Sequence, residues 1–451
     1  MTVAAANPKT AGPYVGQFAE VKAALPGHDV AWLRELREEA IGRFSALGFA
    51  TPRVEEWKFT NLAPLTGTVF TPPSDAAATE AVTRESLVPF LLEGEACHRL
   101  VFVNGRFRPD LSDPGSLPAG VELTSLAVAL AEEPELVKPH LGRLAKLDGQ
   151  ALVSLNAAFM ADGAVLRLPR GAALTRPLHL LFVATPAPAP AVMHLRNLIV
   201  AEAGSSATII ESYAGPENGT YWTNAVTEIS AAADASIRHF KLQNESREAF
   251  HLAVNQVHLA ERSGYDSFVL SVGGRLSRNE IHAALDGTGV ECRLNGAILA
   301  RGRQHMDNST WIEHRKPGSL SHEVYKNVLD DNAHGVFQGK IIVRPDAQKT
   351  DAHQLNKNIL LAETARADTK PELEIHADDV RCSHGAAVGE LDREAMFYLR
   401  SRGLDEPRAE QLLIEAFVGE LLDEISVSAV RSHLKKTVSS WLAGGESWEG
   451  A

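Results

Sequence analysis

The stretch Leu198-Ile-Val-Ala-Glu-Ala-Gly-Ser-Ser-Ala-Thr-Ile-Ile210 decides the fold. Apolar residues alternate on either side of a break of small residues, the signature of a strand, a tight turn and a second strand. The form returns in Ala225-Val-Thr-Glu-Ile-Ser-Ala-Ala-Ala-Asp-Ala-Ser-Ile237 and in Val257-His-Leu-Ala-Glu-Arg-Ser-Gly-Tyr-Asp-Ser-Phe-Val269. It returns again in His282-Ala-Ala-Leu-Asp-Gly-Thr-Gly-Val-Glu-Cys-Arg-Leu294. The units recur at roughly 24 to 30 residues, within the range of stacked repeats. One such coil cannot bury its own apolar side, whereas a stack can. The pattern predicts a mainly β chain with a β-solenoid, most simply a β-helix, from about Asn156 to Val388. A β-sandwich with long hairpins is the alternative from pattern alone.

Outward from this core, helical spacing takes over. Asp29 is placed to cap a helix carrying Leu33, Leu36, Ala40, Ile41, Phe44 and Leu47, with Gly48 just past its end. Thr71 to Ala78 reads as a linker, and Leu100 to Phe107 as a hairpin turning at Asn104-Gly105. A helical stretch is expected from Leu123 to Leu147. After the core, Asp392 can cap a helix running to about Arg402 and ended by Gly403. Asp405-Glu406-Pro407 then opens a second helix, whose apolar stripe is Ala409, Leu412, Leu413, Ala416, Phe417, Leu421 and Ile425. That stripe reads as core of its own domain, and Val438, Trp441 and Leu442 suggest a last short helix. The division is a mostly helical segment 1–150, a solenoid 151–388 and a helical segment 389–451. A stack has raw ends that invite strand pairing, and the flanking helices are the expected cover.

Composition narrows the function. The 451 residues carry a formal net charge of −13, which opposes a nucleic-acid binder. Three cysteines, Cys97, Cys292 and Cys382, lie too far apart to suggest a disulfide framework. No signal peptide and no run of some twenty apolar residues is visible, so the expectation is a cytoplasmic protein without a membrane span.

Gly335-Val-Phe-Gln-Gly-Lys-Ile341 has one residue too few between its glycines for a phosphate-binding loop, and Ile where Ser or Thr must reach Mg²⁺. His251, His258, His305 and His314 read as solvated or hydrogen-bonded strand residues. The segment Val380-Arg-Cys-Ser-His-Gly385 is different. In a strand, Cys382 and His384 share one face. A thiolate and an imidazole suit iron or zinc. Val380, Asp378 and His376 make that face mostly polar, so it is expected to point outward, and Gly385 would let another backbone come close. Such sites usually need about four ligands. The economical reading is a half-site completed by a partner; a buried structural Cys beside a surface His is the alternative.

The sequence resembles the SufB/SufD family of the SUF iron–sulfur assembly machinery. The stretches that carry the resemblance are Asp351-Ala-His-Gln-Leu-Asn-Lys-Asn-Ile-Leu-Leu361, Ala367-Asp-Thr-Lys-Pro-Glu-Leu-Glu374, Ala377-Asp-Asp-Val-Arg-Cys-Ser-His-Gly-Ala386 and Leu391-Asp-Arg-Glu-Ala-Met-Phe-Tyr-Leu-Arg-Ser-Arg-Gly403. Glu56-Trp-Lys-Phe-Thr60 looks like the family's Trp-Lys-Tyr-Thr element, with Phe for Tyr. Within the family, Asp-Thr-Lys-Pro-Glu-Leu-Glu and Cys-Ser-His-Gly look like SufD, with SufB as the sister alternative. The resemblance implies a right-handed parallel β-helix and a non-enzymatic scaffold role. It implies pairing with a SufB-like subunit through the β-helices, docking of a SufC-like ABC ATPase by the C-terminal helices, and possible homodimers of the isolated chain. It also implies a transient iron–sulfur cluster at the subunit interface, with His384 and Cys382 as candidate cluster-site residues and no nucleotide bound by this chain. A β-helix polysaccharide lyase is the alternative from another class.

Overall fold

The computed structural model describes residues 8–73, 79–187, 189–216 and 218–444; the linker expected at Thr71 to Ala78 therefore falls largely outside them. Nine parallel strands form one wall. They are β1 (His98–Val103), β5 (Leu178–Val183), β7 (Ser206–Ala214), β9 (Ser236–Asn244), β11 (Gly264–Ser271), β13 (Glu291–Ala300), β15 (Leu320–Leu329), β17 (Asp351–Leu360) and β19 (Arg381–Gly389). The facing wall holds β4 (Ala164–Leu168), β6 (Ala191–Ala201), β8 (Tyr221–Ala231), β10 (Phe250–Leu259), β12 (Leu276–Leu285), β14 (His305–His314), β16 (His334–Val343) and β18 (Arg366–Ile375). Consecutive strands alternate between walls, which gives a β-solenoid of about eight turns. The repeat is elastic: Phe250 pairs with Leu276, and His334 with Arg366.

The turns between walls stack on one another. Gly204, Asp234 and Arg262 all take positive φ, near 71°, 62° and 53°. The amide of each donates to a carbonyl of the next coil: Gly204 to Ala233, Asp234 to Glu261 and Arg262 to Thr288. Only the first of the three is glycine, so hydrogen bonding to the neighbouring turn holds Asp234 and Arg262 in a conformation that side chains disfavour.

The lumen is filled by the inward rows of both walls. Leu180, Ile209, Ile237, Val269 and Leu294 from one wall meet Leu195, Ile229, Ile281, Ile312 and Ile341 from the other. Polar groups share this space. Lys241 Nζ lies 2.7 Å from His251 Nε2 and donates to Asn279 Oδ1 at 2.6 Å. Glu245 lies 2.7 Å from His251, and Glu211 lies 3.1 Å from His239. All these groups are buried. Burial lowers Lys241 to about 8, with Glu211 and Glu245 opposing the shift.

The helices cover the walls and leave one end of the stack bare, which corrects the expectation that they would cap its ends. The segments α1 (Gly12–Val21), α2 (Ala31–Leu47) and α6 (Ala151–Phe159) pack on the outer face around Trp222, Phe250 and Leu276. Between α2 and α6 lie α3 (Ala63–Thr66), α4 (Leu126–Glu132) and α5 (Pro134–Val137). Two helices, α8 (Glu406–Leu422) and α9 (Ser428–Leu442), cover Phe240, Phe268, Leu299 and Val328 on the opposite wall. At the first end, the antiparallel strands β2 (Arg106–Phe107) and β3 (Glu122–Ser125) close the sheets. At the other, β18 and β19 are edge strands, and no further strand pairs with them among the described residues.

Local expectations fared unevenly. The hairpin turns at Asn104-Gly105, both at positive φ. Helix α2 is present, but Val30 is its N-cap and no side chain caps it. The helix expected from Leu123 to Leu147 is instead β3 followed by α4 and α5, interrupted at Pro134. Asp392 caps α7 (Arg393–Ser401), and Asp405 caps α8, as expected. The buried stripe of α8 is Ala409, Ile414, Val418, Leu421 and Leu422, and Ala416 is exposed. The predicted stripe is thus rotated, because the helix lies on the solenoid wall and does not form a separate bundle.

The N-terminal segment is fastened by a buried carboxylate. Glu228 receives Arg196 at 2.6 Å and the backbone amides of Gly142, Leu144 and Ala145 at 2.7, 2.8 and 3.0 Å. Replacing Glu228 by Ala leaves the Arg196 charge buried and three amides unpaired. The expected loss is about 3–5 kcal/mol in denaturant unfolding. Replacing Arg196 and Glu228 together by Met and Leu should recover part of it; equal losses for the single and double variants would contradict this account.

Candidate functional site at the bare end

Strand β19 continues the repeat and pairs in parallel with β17. Cys382 lies opposite Ala352, and His384 opposite Gln354. In β17, Ala352, Gln354, Asn356 and Asn358 are buried, whereas His353 faces out. Cys382 and His384 therefore share a face, as their spacing requires, but it is the lumen face. This corrects the expected outward orientation. Polarity misled because the lumen is itself polar near this end, where Glu323, Asn327, Gln354, Asn356 and Asn358 line the inward rows. Being in the last rung, the two donors are still within reach of solvent: Cys382 is half-buried against the lumen core with Val380, and His384 is exposed.

The thiol is not activated. Burial, and then the Asp351 carboxylate, push the Cys382 pKa up. Burial also raises Cys97, to about 11, and drives Cys292 far above the usual thiol range. On the outer face, His353 Nδ1 lies 2.6 Å from Ser383 Oγ and its Nε2 lies 2.7 Å from Asp351. Gly385 is closely packed: an added Cβ would stand 3.3 Å from Leu355 Cδ1. Its missing side chain thus makes room for Leu355, not for another backbone. Among the described residues no three His, Cys, Asp or Glu side chains are grouped to hold a metal ion. The donors fit a soft metal by type and fall short by number.

The other singled-out residues have different work. His251 and His314 are buried in the lumen, and His314 lies 2.9 Å from Ser321 Oγ. His258 lies 3.4 Å from Asp286, and His305 contacts Thr60 and His334 at 2.9 and 3.0 Å. The phosphate-loop lookalike Gly335 to Ile341 is part of β16, with Gly335 and Gly339 in the lumen row.

The Glu56-Trp-Lys-Phe-Thr60 element carries no sign in its sequence of what it does. It latches onto four successive strands of one wall. Arg278 of β12 stacks on Trp57 at 4.2 Å and donates to the Glu56 carbonyl at 2.9 Å. Thr60 donates to Asp307 of β14, Gln338 of β16 donates to the Glu56 carbonyl at 3.2 Å, and Lys370 of β18 pairs with Glu55. A second exposed feature is α7, which buries no residue and leaves Phe397 75% and Tyr398 57% exposed.

Fold and site together define a β-solenoid protein whose terminal rung carries a cysteine and a histidine side by side. The SufBD core domain of SUF-system FeS cluster assembly matches residues 182–417, and the SufBD N-terminal region matches 8–180. The chain is 34% identical over 432 residues to an iron–sulfur cluster assembly SufBD family protein of Synechocystis, covering 94% of each. It is 31% identical over 400 residues to the iron–sulfur cluster assembly protein SufD of Escherichia coli, covering 88% of this chain and 90% of that one. For SufD of Bacillus subtilis the identity is 29% over 423 residues, covering 90% and 93%. The chain belongs to the SufBD family of the SUF iron–sulfur cluster assembly system. That membership sets the polysaccharide lyase aside. No helix among the described residues is long and apolar enough to cross a membrane.

The thiolate is the nucleophile, so a raised pKa slows alkylation near neutral pH. Native protein treated with iodoacetamide should label Cys382 more slowly than a free cysteine, with the rate climbing as the solution is made alkaline, and should leave Cys292 unlabelled. Mass spectrometry of peptides checks this; rapid labelling of Cys382 at neutral pH would contradict it.

Proposed function

We propose that this chain is a SufD-type scaffold subunit whose bare terminal rung pairs with a SufB-like subunit, the junction holding a cluster under assembly as transient cargo. The observation that carries the reading is the pair of soft donors, Cys382 and His384, side by side in the last rung. Two ligands hold a cluster poorly; a facing subunit can add the remainder. Strand β19 also offers an unpaired backbone edge free of proline, whereas β18 is interrupted by Pro371, which has no N–H. The same edge could pair with a second copy when no partner is present, which supports a homodimer of the isolated chain. The three free thiols agree with a cytoplasmic setting.

Helix α7 is our candidate dock for a SufC-like ATPase, because α8 spends its apolar side on the solenoid wall while Phe397 and Tyr398 are exposed, the latter with only the Arg402 guanidinium over its ring. Nucleotide hydrolysis would belong to that partner, and the role of this chain is support and ligation without catalysis.

In a complex co-expressed with SufB- and SufC-like subunits and purified without oxygen, His384→Ala should lose most of the bound iron and sulfide while the complex still assembles. Cys382→Ala should lower both as well. Unchanged iron and sulfide in both variants would reduce the chain to a structural adaptor. Separately, Phe397→Asp should release the ATPase and leave β-helix pairing intact, as read by co-purification.

A further inference from the structure

The lumen row that ends in His384 does not stop at the surface. Glu323, Gln354 and His384 occupy successive rungs in register. Gln354 is buried, and its Nε2 donates to Glu323 Oε2 at 2.6 Å. An ionised carboxylate can only accept, so this contact fixes which way the amide faces. A planar amide that turns its N–H toward one rung turns its carbonyl toward the next, the geometry of an amide ladder. Gln354 Oε1 has no hydrogen-bond partner, although it is buried. An unmet acceptor in such a place is costly and calls for a donor. The next rung offers His384, directly opposite.

The chain also makes room for this amide. Gly339 lies across the lumen on β16, and a Cβ built there would come within 2.0 Å of Gln354 Nε2 and 2.7 Å of its Cδ. Gly339 takes no positive φ, so space and not backbone conformation requires glycine there. Burial pushes the Glu323 carboxyl up to about 7, so it is ionised in mildly alkaline solution.

We propose that Gln354 is a positioning residue for His384: its Oε1 accepts one ring N–H, fixes the tautomer and turns the other ring nitrogen toward the mouth of the lumen. Histidines that hold metals commonly donate their second nitrogen to a carbonyl or carboxylate in this way, which sets ring orientation and ligand basicity. The inference rests on the cluster-site reading of His384, but it concerns groups of this chain alone: Gln354 Oε1 is unpartnered as the structure stands, and the exposed His384 ring turns to reach it.

Selective ¹⁵N labelling of histidine in the full chain tests it, at about pH 8.5 where imidazoles are neutral. The His384 signals are assigned by their loss in His384→Ala. The unaltered chain should show His384 in one tautomer, with a hydrogen-bonded N–H. Gln354→Met, close in volume but without the acceptor, should convert it to the averaged pair of shifts of a free ring. Gly339→Ala, which displaces the amide, should do the same. The exchanged pair Glu323→Gln with Gln354→Glu reverses the lower hydrogen bond, the amide at 323 now donating to the carboxylate at 354, keeps an acceptor facing His384, and should restore the single tautomer. Averaged shifts in the unaltered chain, or identical shifts in the unaltered and Gln354→Met chains, overturn the inference whatever the iron content. Iron and sulfide in the co-expressed complex form a separate arm: a changed tautomer with unchanged iron in both Gln354→Met and His384→Ala defeats the cluster-site reading and leaves the positioning contact standing.

Discussion

Backbone hydrogen bonding between successive coils is the constraint from which the rest of this structure follows. Every strand between the first and last rungs gives its N–H and C=O groups to the coil before and the coil after, across two continuous walls. A buried backbone group must find a partner, and here only another coil supplies it. The repeat length can then stretch or shrink between coils so long as the register holds. The same rule means that a finite stack has two end problems. The chain solves one with β2 and β3, which run antiparallel and finish the sheets, and leaves the other to β18 and β19.

Register also explains the charged lumen. A one-residue slip in any coil would turn its inward row outward. Lys241, placed between His251 and Asn279, and Glu211, beside His239, would then be parted from the groups that compensate their burial. Misaligned stacks lose these contacts along with their apolar packing. The polar groups thus discriminate between alignments that a uniformly apolar filling would tolerate. They do so at the expense of desolvation, visible in the lowered Lys241.

How far the sequence could be read depended on the range of the interaction involved. The Asn104-Gly105 turn and the caps at Asp392 and Asp405 are settled by a few neighbouring residues, and all were legible. The solenoid was legible because its unit repeats. Where the helices dock was not, since amphipathic spacing shows that a helix has an apolar side without showing what lies beneath it. The rotated stripe of α8 is the result. Cys382 and His384 were correctly paired by their spacing and wrongly faced, because the polarity of a strand face separates lumen from solvent only when the lumen is apolar. Gln354 carried no signal of its own: its importance comes from Glu323 and Gly339, which are distant in sequence and adjacent only across the stack.

The latch formed by Glu55 to Thr60 has a mechanical consequence. It splints β12, β14, β16 and β18 together on one wall, right up to the terminal rung. Nothing equivalent reaches β19 among the contacts of that turn. The two walls are therefore braced unequally at this end: the latch reaches the last strand of one, while on the other the helical ties at Asn295 and Lys326 stop at β13 and β15, short of the strand that bears the cysteine and the histidine.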